Sequence, residues 1–350
     1  MAVDFQGLVA LAEARKIPIE QLINYVENRV AEAYAEHPEA KPKGRCVYNR
    51  LSGEFIIHVP IYDEEGLWKE TVPDSPEGFE AIAESVARKS LKEKMREEAD
   101  NAVIEEFSAA VGDIISGEVQ QGRDESVIYV YLGGRTEGKI PPTEQVKGEV
   151  FKHGDRIKAF VVKVEKGLRG PEITLSRTHP QLVRALFALE VPEINDRVVE
   201  VMGVSREPGH RSKISVRTHR GGVSPKGALI GPSGARSRAV SDELFGEKID
   251  IVDWSADPAT YVANALAPAR VTSAVALDTD PNSIKVIVPD FQLSLAIGKD
   301  GQNARLAARL TGCRIDIHPD NPVERIAKPK PEVVEPEAAV VEAELPAQAE

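Results

Sequence analysis

The chain has 350 residues, of which 42% are hydrophobic, and a formal net charge of −12 at pH 7. This length suits about two to four globular domains. No apolar run approaches the roughly 18 residues that span a membrane, and the charged N-terminal stretch is typical of an amphipathic helix, not of a signal peptide. Cys46 and Cys313 are far apart and lack a CxxC partner, which favours a reducing, cytoplasmic location and argues against a zinc site.

Charge is unevenly distributed along the chain. Residues 1–110 hold 13 Lys and Arg against 22 Asp and Glu, and residues 321–350 hold 3 against 7. Residues 197–239, in contrast, hold 9 basic side chains and 2 acidic ones. A basic centre between acidic ends predicts an RNA surface in the middle of the chain and a different partner for the N-terminal part.

The first 110 residues predict a domain of helices and strands. Residues 1–37 form two predicted helices broken before Pro18, because the residue that precedes a proline leaves the helical region. Alternating apolar residues predict strands at 45–48 and 54–61. A long connector helix is expected at 79–107, with an apolar stripe formed by Ile82, Val86, Leu91, Met95, Ala99, Val103 and Phe107.

Residues 111–179 consist of short β-rich segments separated by Gly, Asp and Pro, which predicts a closed barrel of about five strands. Tyr129 and Tyr131 lie on one face of the second strand, and Val130 lies on the other. An exposed Tyr129 would stack on an RNA base. The alternative is an aromatic ring that only covers the barrel.

Two further strands are predicted at 197–204 and 212–219. Along the second one, Arg211, Lys213 and Arg217 alternate with Ile214 and Val216. Alternation with period two places the basic side chains on one sheet face. We interpret this basic stripe as an RNA surface, with a solvated charged strand as the alternative.

The same supersecondary unit occurs twice, offset by 67 residues (Gly231 to Gly298), and each copy contains helix, Gly-x-x-Gly, helix and strand. Glycines permit close approach of a ligand to the backbone. The N–H groups of Gly301, Gln302 and Asn303 are expected to be unpaired at a helix N-terminus, ready to bind phosphate. The candidate RNA-binding residues here are Gly231, Pro232, Ser233, Gly234 and Arg236 in the first copy, and Gly298, Lys299, Asp300, Gly301, Gln302, Asn303 and Arg305 in the second.

These patterns resemble known RNA-binding modules. The order helix, strand, strand, helix, helix, strand resembles a type II KH domain, and the barrel resembles the S1 type of OB-fold. The predicted fold class is a multi-domain α+β protein. Its expected parts are an N-terminal domain (1–110), an S1 barrel (111–179), two tandem KH domains (180–255 and 256–320) and a disordered acidic tail (321–350).

The motifs REPGHRSKISVR, GALIGPSGARSRAVSDELFGEKIDIV and VPDFQLSLAIGKDGQNARLAARLTG resemble those of the bacterial NusA family of transcription factors. The resemblance covers about residues 1–320. It implies that the N-terminal domain binds RNA polymerase and that the S1 and KH domains hold nascent single-stranded RNA. It further implies roles in pausing, termination and antitermination together with other Nus factors, as a monomer that needs no cofactor and no membrane.

The sequence does not favour an enzyme. It contains no GxxxxGK[ST], GxGxxG, HExxH or GxSxG motif, and its seven histidines are not clustered with carboxylates or cysteines. An RNA-degrading enzyme such as polynucleotide phosphorylase also carries KH and S1 modules, but in the opposite order and behind a large catalytic core. The remaining alternative is an RNA-processing or ribosome-associated S1/KH protein.

The tail generates the first testable prediction. Residues 321–350 are rich in Glu, Pro and Ala and cannot bury enough apolar surface to offset their ordering entropy. Their attraction to the basic centre is screened beyond about 8 Å at physiological salt. Deletion of this segment should therefore leave the RNA affinity at physiological salt unchanged, as measured by fluorescence anisotropy. A tenfold gain in affinity would show that the tail is autoinhibitory.

Overall fold

The computed structural model describes residues 5–320, except 15–16, 123, 135, 169 and 278–279. The predicted disordered tail lies outside the described residues. The chain divides into two compact units, one formed up to Ala109 together with Val164–Glu172, and the other from Ala110 to Lys163 and from Ile173 onward. Among the described residues, no helix combines the length and apolarity that crossing a membrane requires.

The first unit combines three helices with a three-stranded antiparallel sheet. Its elements in chain order are α1 (Phe5–Ala14), α2 (Ile19–Ala35), β1 (Arg45–Asn49), β2 (Glu54–Tyr62), β3 (Trp68–Asp74) and α3 (Phe79–Ser108). The sheet order is β1-β2-β3. The predicted helices, the break at Pro18 and the first two strands are confirmed. Strand β3 was not predicted, because its side chains are mostly exposed and show no apolar alternation.

Helix α3 is as long as predicted, but its buried face differs from the predicted stripe. The buried side chains include Phe79, Ala83, Ala87 and Leu91, whereas Ile82 is 42% exposed. Small alanines let α3 pack closely against α2, whose Leu22, Val26 and Val30 are fully buried. Alanine was overlooked as a core residue because its apolar signal is weak.

A closed five-stranded barrel follows α3, as predicted, and belongs to the second unit except for Val164–Glu172. Its strands are β4 (Ile114–Gln120), β5 (Ile128–Gly133), β6 (Thr136–Ile140), β7 (Arg156–Gly167) and β8 (Gly170–Ser176), in the order β4-β5-β6-β8-β7. Gly117 is required by close packing, because a Cβ at this position would lie 2.6 Å from the carbonyl oxygen of Tyr131. The barrel interior holds Val119, Val130, Ile157, Ile173 and Leu175.

The two KH domains share one topology. The first contains α4 (Pro180–Glu190), α5 (Pro192–Asn195), β9 (Val199–Glu207), β10 (Arg211–Thr218), α6 (Pro225–Ile230), α7 (Ala235–Glu243) and β11 (Lys248–Asp253). The second contains α8 (Pro258–Ala265), β12 (Ser273–Leu277), β13 (Asp280–Val288), α9 (Leu293–Ile297), α10 (Gln302–Thr311) and β14 (Arg314–Pro319). In both sheets the central strand pairs antiparallel with one neighbour and parallel with the other. The predicted tandem repeat is therefore confirmed.

Two buried, ion-paired arginines donate the hydrogen bonds that join the barrel to the first KH domain. Arg177 donates two hydrogen bonds to Glu149 (2.6 and 2.8 Å) and one to the carbonyl of Glu243 (2.8 Å). Arg206 donates to Glu247 (2.9 Å) and to the carbonyl of Arg177 (2.7 Å). Such charges are tolerated away from water because each is paired and hydrogen-bonded.

Candidate nucleic-acid interface

The two Gly-x-x-Gly turns have nearly identical backbones. The first glycine has φ 71°, ψ 176° at Gly231 and φ 78°, ψ 172° at Gly298. The third residue is left-handed in both turns, at Ser233 (φ 51°) and at Asp300 (φ 53°). Four side chains therefore project from two equivalent turns, and all four residues are exposed: Pro232, Ser233, Lys299 and Asp300.

The first glycine of each turn packs against the helix that follows. A Cβ at Gly298 would lie 2.8 Å from the backbone nitrogen of Asn303, and a Cβ at Gly231 would lie 2.7 Å from Cγ of Arg236. Substitution of these glycines would therefore distort the turn. The exposed middle residues are the positions at which ligand contact can be tested without disturbing the backbone.

The expectation of three free N–H groups is wrong for two of them. Gly301 N–H donates to the carbonyl of Gly298 (3.3 Å), and Gln302 N–H donates to the carbonyl of Lys299. The first turn repeats this arrangement, since Gly234 N–H donates to Gly231. The turns tighten into 3₁₀ geometry, which pairs N–H groups that a pure α-helix would leave open.

Two arginines flank the turns in the same way. Arg305 donates to the carbonyl of Asp300 (3.0 Å), and Arg238 donates to the carbonyl of Ser233. These residues are related by the same 67-residue offset as the turns. Sequence reasoning included Arg305 and missed Arg238, although the offset between the copies could have identified it.

The residue behind the first glycine of each turn has a structural role. Asn303 is buried, and its side chain donates to the carbonyls of Ala296 (2.9 Å) and Leu266 (3.0 Å). Arg236 occupies the equivalent position and donates to the carbonyl of Ala228 (2.8 Å) and to Glu193. Asn303 holds α9 against α10, so its side chain is not available to RNA.

The predicted basic stripe on β10 is not an exposed stripe. Lys213 is fully buried, and it donates to Asp250 (2.8 Å) and to the carbonyl of Ala267 (2.9 Å). Its prediction as an RNA contact is therefore wrong. Helix α10 of the second KH domain packs on β9 and β10, so the sheet face that alternation predicted to be open is covered.

The arginines beside Lys213 are partly exposed but paired. Arg211 forms two hydrogen bonds with Asp250 (2.8 and 2.9 Å). Arg217 donates to Glu200 (2.7 Å) and lies over the ring of Trp254, 5.0 Å from its centroid. Both side chains reach the surface only at the edges of the predicted stripe.

Burial and pairing shift the pKa values of this cluster. Burial lowers the pKa of Lys213 below its usual value. Burial alone would raise the pKa of Asp250, but its hydrogen bonds with Arg211 and its attraction to Lys213 outweigh that effect, and the pKa is lowered. Asp250 is thus the counter-ion that offsets the cost of burying the Lys213 charge.

In the barrel, Tyr129 and Tyr131 share one face of β5 and Val130 is buried on the other, as predicted. Tyr131 is 38% exposed, whereas Tyr129 is half-buried. The ring of Tyr129 packs directly on Gly122, where a Cβ would lie 1.8 Å from it. Tyr129 is therefore partly covered, and whether it stacks on RNA stays a prediction.

A carboxylate of the first KH domain holds the second turn. Glu207, at the end of β9, accepts hydrogen bonds from Arg305 (2.7 Å) and Gln302 (2.8 Å), the latter being the first residue of α10. A further contact joins the domains, since Tyr261 donates to Ser215 Oγ (2.8 Å). The two turns are consequently fixed relative to one another.

Among the described residues, no group of three or more His, Cys, Asp or Glu side chains is arranged to hold a metal ion. A closed barrel followed by two KH domains, each with an exposed glycine turn, defines a multi-domain RNA-binding protein. Family models agree with this class: S1 RNA binding domain at residues 108–176, NusA-like first KH domain at 177–254 and NusA-like second KH domain at 258–325.

Curated relatives extend the match to nearly the whole chain. The transcription termination/antitermination protein NusA of Mycobacterium bovis is 45% identical over 339 residues, which cover 95% of this chain and 98% of that protein. The protein of the same name from Bacillus subtilis is 41% identical over 333 residues, 89% of each chain. The chain belongs to the NusA family of transcription termination/antitermination proteins.

The Lys213–Asp250 pair generates a prediction that separates folding from binding. Asp250→Asn leaves the buried Lys213 without its counter-ion, so the free energy of unfolding should fall by about 3 kcal/mol in chemical denaturation. The pKa of Asp250 is lower in the folded state than its usual value of 3.8. The stability difference between wild type and Asp250→Asn is therefore fully present above pH 3.8, and it is lost as the pH falls through the lower pKa of the folded state.

The matched variant Lys213→Met should bind RNA with unchanged affinity, because Lys213 does not reach the surface. Loss of RNA affinity in a Lys213→Met protein that retains its circular dichroism spectrum would contradict this structural role.

Proposed function

We propose that this chain holds nascent single-stranded RNA along both KH turns while its first unit binds RNA polymerase, and that it thereby modulates pausing, termination and antitermination with other Nus factors. We further propose the domain division 1–110, 111–179, 180–255 and 256–320. The observation that carries the RNA part is the pair of superimposable turns, each with two exposed side chains and a flanking arginine. Membership of the NusA family supports the polymerase part.

The geometry supports a particular set of residues for the proposed RNA binding. This set consists of the turn residues, the flanking arginines and the partly exposed arginines of the first KH domain, without Lys213 and without the side chain of Asn303. The side chains in this set are Pro232, Ser233, Lys299, Asp300, Gln302, Arg211, Arg217, Arg236, Arg238 and Arg305. Most of these arginines are paired with carboxylates. RNA phosphates would compete with those carboxylates for guanidinium groups whose orientation the pairs already fix.

The substitution Lys299→Asp tests RNA binding. It keeps both glycines and the left-handed Asp300, and it replaces an exposed cation by an anion at the centre of the second turn. We expect the affinity for single-stranded RNA to fall about tenfold or more, and the slope of log affinity against log salt to flatten by about 0.7 for the lost phosphate contact. Fluorescence anisotropy across a salt series measures both quantities.

Lys92→Asp on α3 is the control for that experiment, because it makes the same charge change at another exposed lysine. Equal RNA affinities for wild type and Lys299→Asp, with unchanged circular dichroism, would overturn the proposed role of the second turn.

The first unit offers an apolar surface for a protein partner. At the end of the β2–β3 hairpin, Leu67 is 62% exposed and Trp68 is 65% exposed, beside Ile61 (39%) and Tyr62 (42%). An exposed apolar cluster of this kind is typical of protein interaction sites. We propose that RNA polymerase contacts it.

The full-length double variant Leu67→Ser/Trp68→Ser should lose at least about tenfold in capture of purified RNA polymerase, because removal of two apolar contacts of an interface costs more than about 1.4 kcal/mol. Leu189→Ser, at a 57% exposed position on α4, should retain capture. Undiminished capture by the double variant would remove this hairpin from the polymerase interface.

A further inference from the structure

Two residues after the end of helix α7, the backbone adopts an unusual conformation at Phe245. Counted from the second glycine of each turn, the eleventh residue is left-handed in both KH domains: Phe245 (245 − 234) has φ 55°, and Gly312 (312 − 301) has φ 73°. From this residue to the following strand the first copy is one residue longer, with Phe245 three positions before Lys248 and Gly312 two positions before Arg314, so Gly246 is the additional residue. Phe245 occupies the position at which the second KH domain has glycine.

Phenylalanine is energetically unfavourable in this left-handed conformation. A left-handed residue that closes a helix is usually glycine, because a Cβ in this conformation collides with the following carbonyl oxygen at a cost of roughly 1–2 kcal/mol. For a bulky side chain such a backbone is an outlier, and outliers of this kind concentrate at binding sites. The helix of the second KH domain shows that the fold needs only glycine at this position.

The ring of Phe245 is not buried in a hydrophobic core. It is 55% exposed and lies edge-on to Phe151 of the barrel, with ring centroids 5.2 Å apart and an angle of 78°. The neighbouring Val150 is 73% exposed. A strained backbone thus presents an aromatic ring to solvent at the junction between the barrel and the first KH domain.

The support beneath this ring is fixed. The guanidinium of Arg177 lies 5.7 Å from the centroid of Phe151, and Arg177 is itself buried and paired with Glu149. Glu243, which precedes this corner of the chain, is paired with Lys158 (2.6 Å). The carboxylates of Glu149 and Glu243 are therefore neutralised by cationic partners.

We propose that Phe245, backed by Phe151, is a stacking platform for one base of single-stranded RNA that continues from the first KH turn along α7 to the barrel. This inference rests on the proposed RNA-binding function. Phe245 lies eleven residue steps after Gly234, which span about 16 Å at 1.5 Å per residue, a distance that a few nucleotides can bridge. Aromatic rings stack on any base, so the platform adds affinity without sequence preference. The exposed Lys152 and Lys248 follow the two rings in the chain and supply cations for the flanking phosphates.

Three substitutions in the full-length chain test the platform with a pool of fluorescein-labelled, unstructured RNA of random sequence. Phe245→Gly removes the ring and suits the left-handed backbone, so the protein should remain folded while RNA affinity falls about five- to a hundredfold. Phe245→Leu keeps an apolar side chain of similar bulk without an aromatic face and should lose affinity to a similar extent. Phe245→Tyr retains the ring and should bind as wild type does.

The controls separate this inference from the proposed function. If the wild-type chain fails to bind the RNA, both the proposed function and the platform are overturned. If wild type binds and Lys299→Asp weakens binding, but Phe245→Gly and Phe245→Leu retain full affinity, only the platform is overturned. Loss of RNA polymerase capture by Phe245→Gly with normal RNA affinity would also overturn it, because the ring would then serve a protein partner.

Discussion

The arrangement of the second unit depends on charges that are buried and completely paired. The side chains of Arg206 and Glu247 are both fully inaccessible to solvent, and Arg206 also donates to the carbonyls of Arg177 and His179. Removal of such groups from water costs several kcal/mol each, and only full hydrogen bonding offsets that cost. Because Arg206 donates to carbonyls of the segment that directly follows the last barrel strand, the barrel and the first KH domain cannot separate without breaking hydrogen bonds of a buried charge.

Burial and pairing of basic side chains also explain why fewer of them are available to RNA than the composition suggested. Of the nine basic side chains in residues 197–239, Arg206 and Lys213 are buried, and Arg211, Arg217 and Arg236 are paired with carboxylates. Of the remaining four, Arg197, Arg220 and Arg238 are exposed, and only Arg238 flanks a glycine turn. A positive stretch of sequence thus contributes to domain packing as well as to ligand binding, and composition alone does not distinguish the two uses.

Local patterns predicted most of the fold. The repeated glycine units, the period-two strands and the break at Pro18 depend on interactions between near neighbours, and each was found where expected. The errors involve contacts between distant segments. Lys213 was assigned to an open sheet face because alternation cannot reveal that helix α10 covers it. Asn303 was assigned to RNA and Arg238 was missed for a related reason. The two helices approach closely at the first glycine of each turn, and this approach decides which side chain is buried and which faces the turn. Strand β3 was missed because an exposed strand at a sheet edge lacks an apolar pattern.

The hydrogen bonds from Gln302 and Arg305 to Glu207 limit which RNA can bind both turns. They join the start of the second turn's helix to the end of a strand in the first KH domain, so the separation of the two turns is set by covalent geometry and short hydrogen bonds, not by a flexible linker. An RNA that occupies both turns must supply a fixed length of extended backbone between them. On the proposed RNA path, the pair of domains would therefore select RNA by the spacing and the unpaired state of its nucleotides.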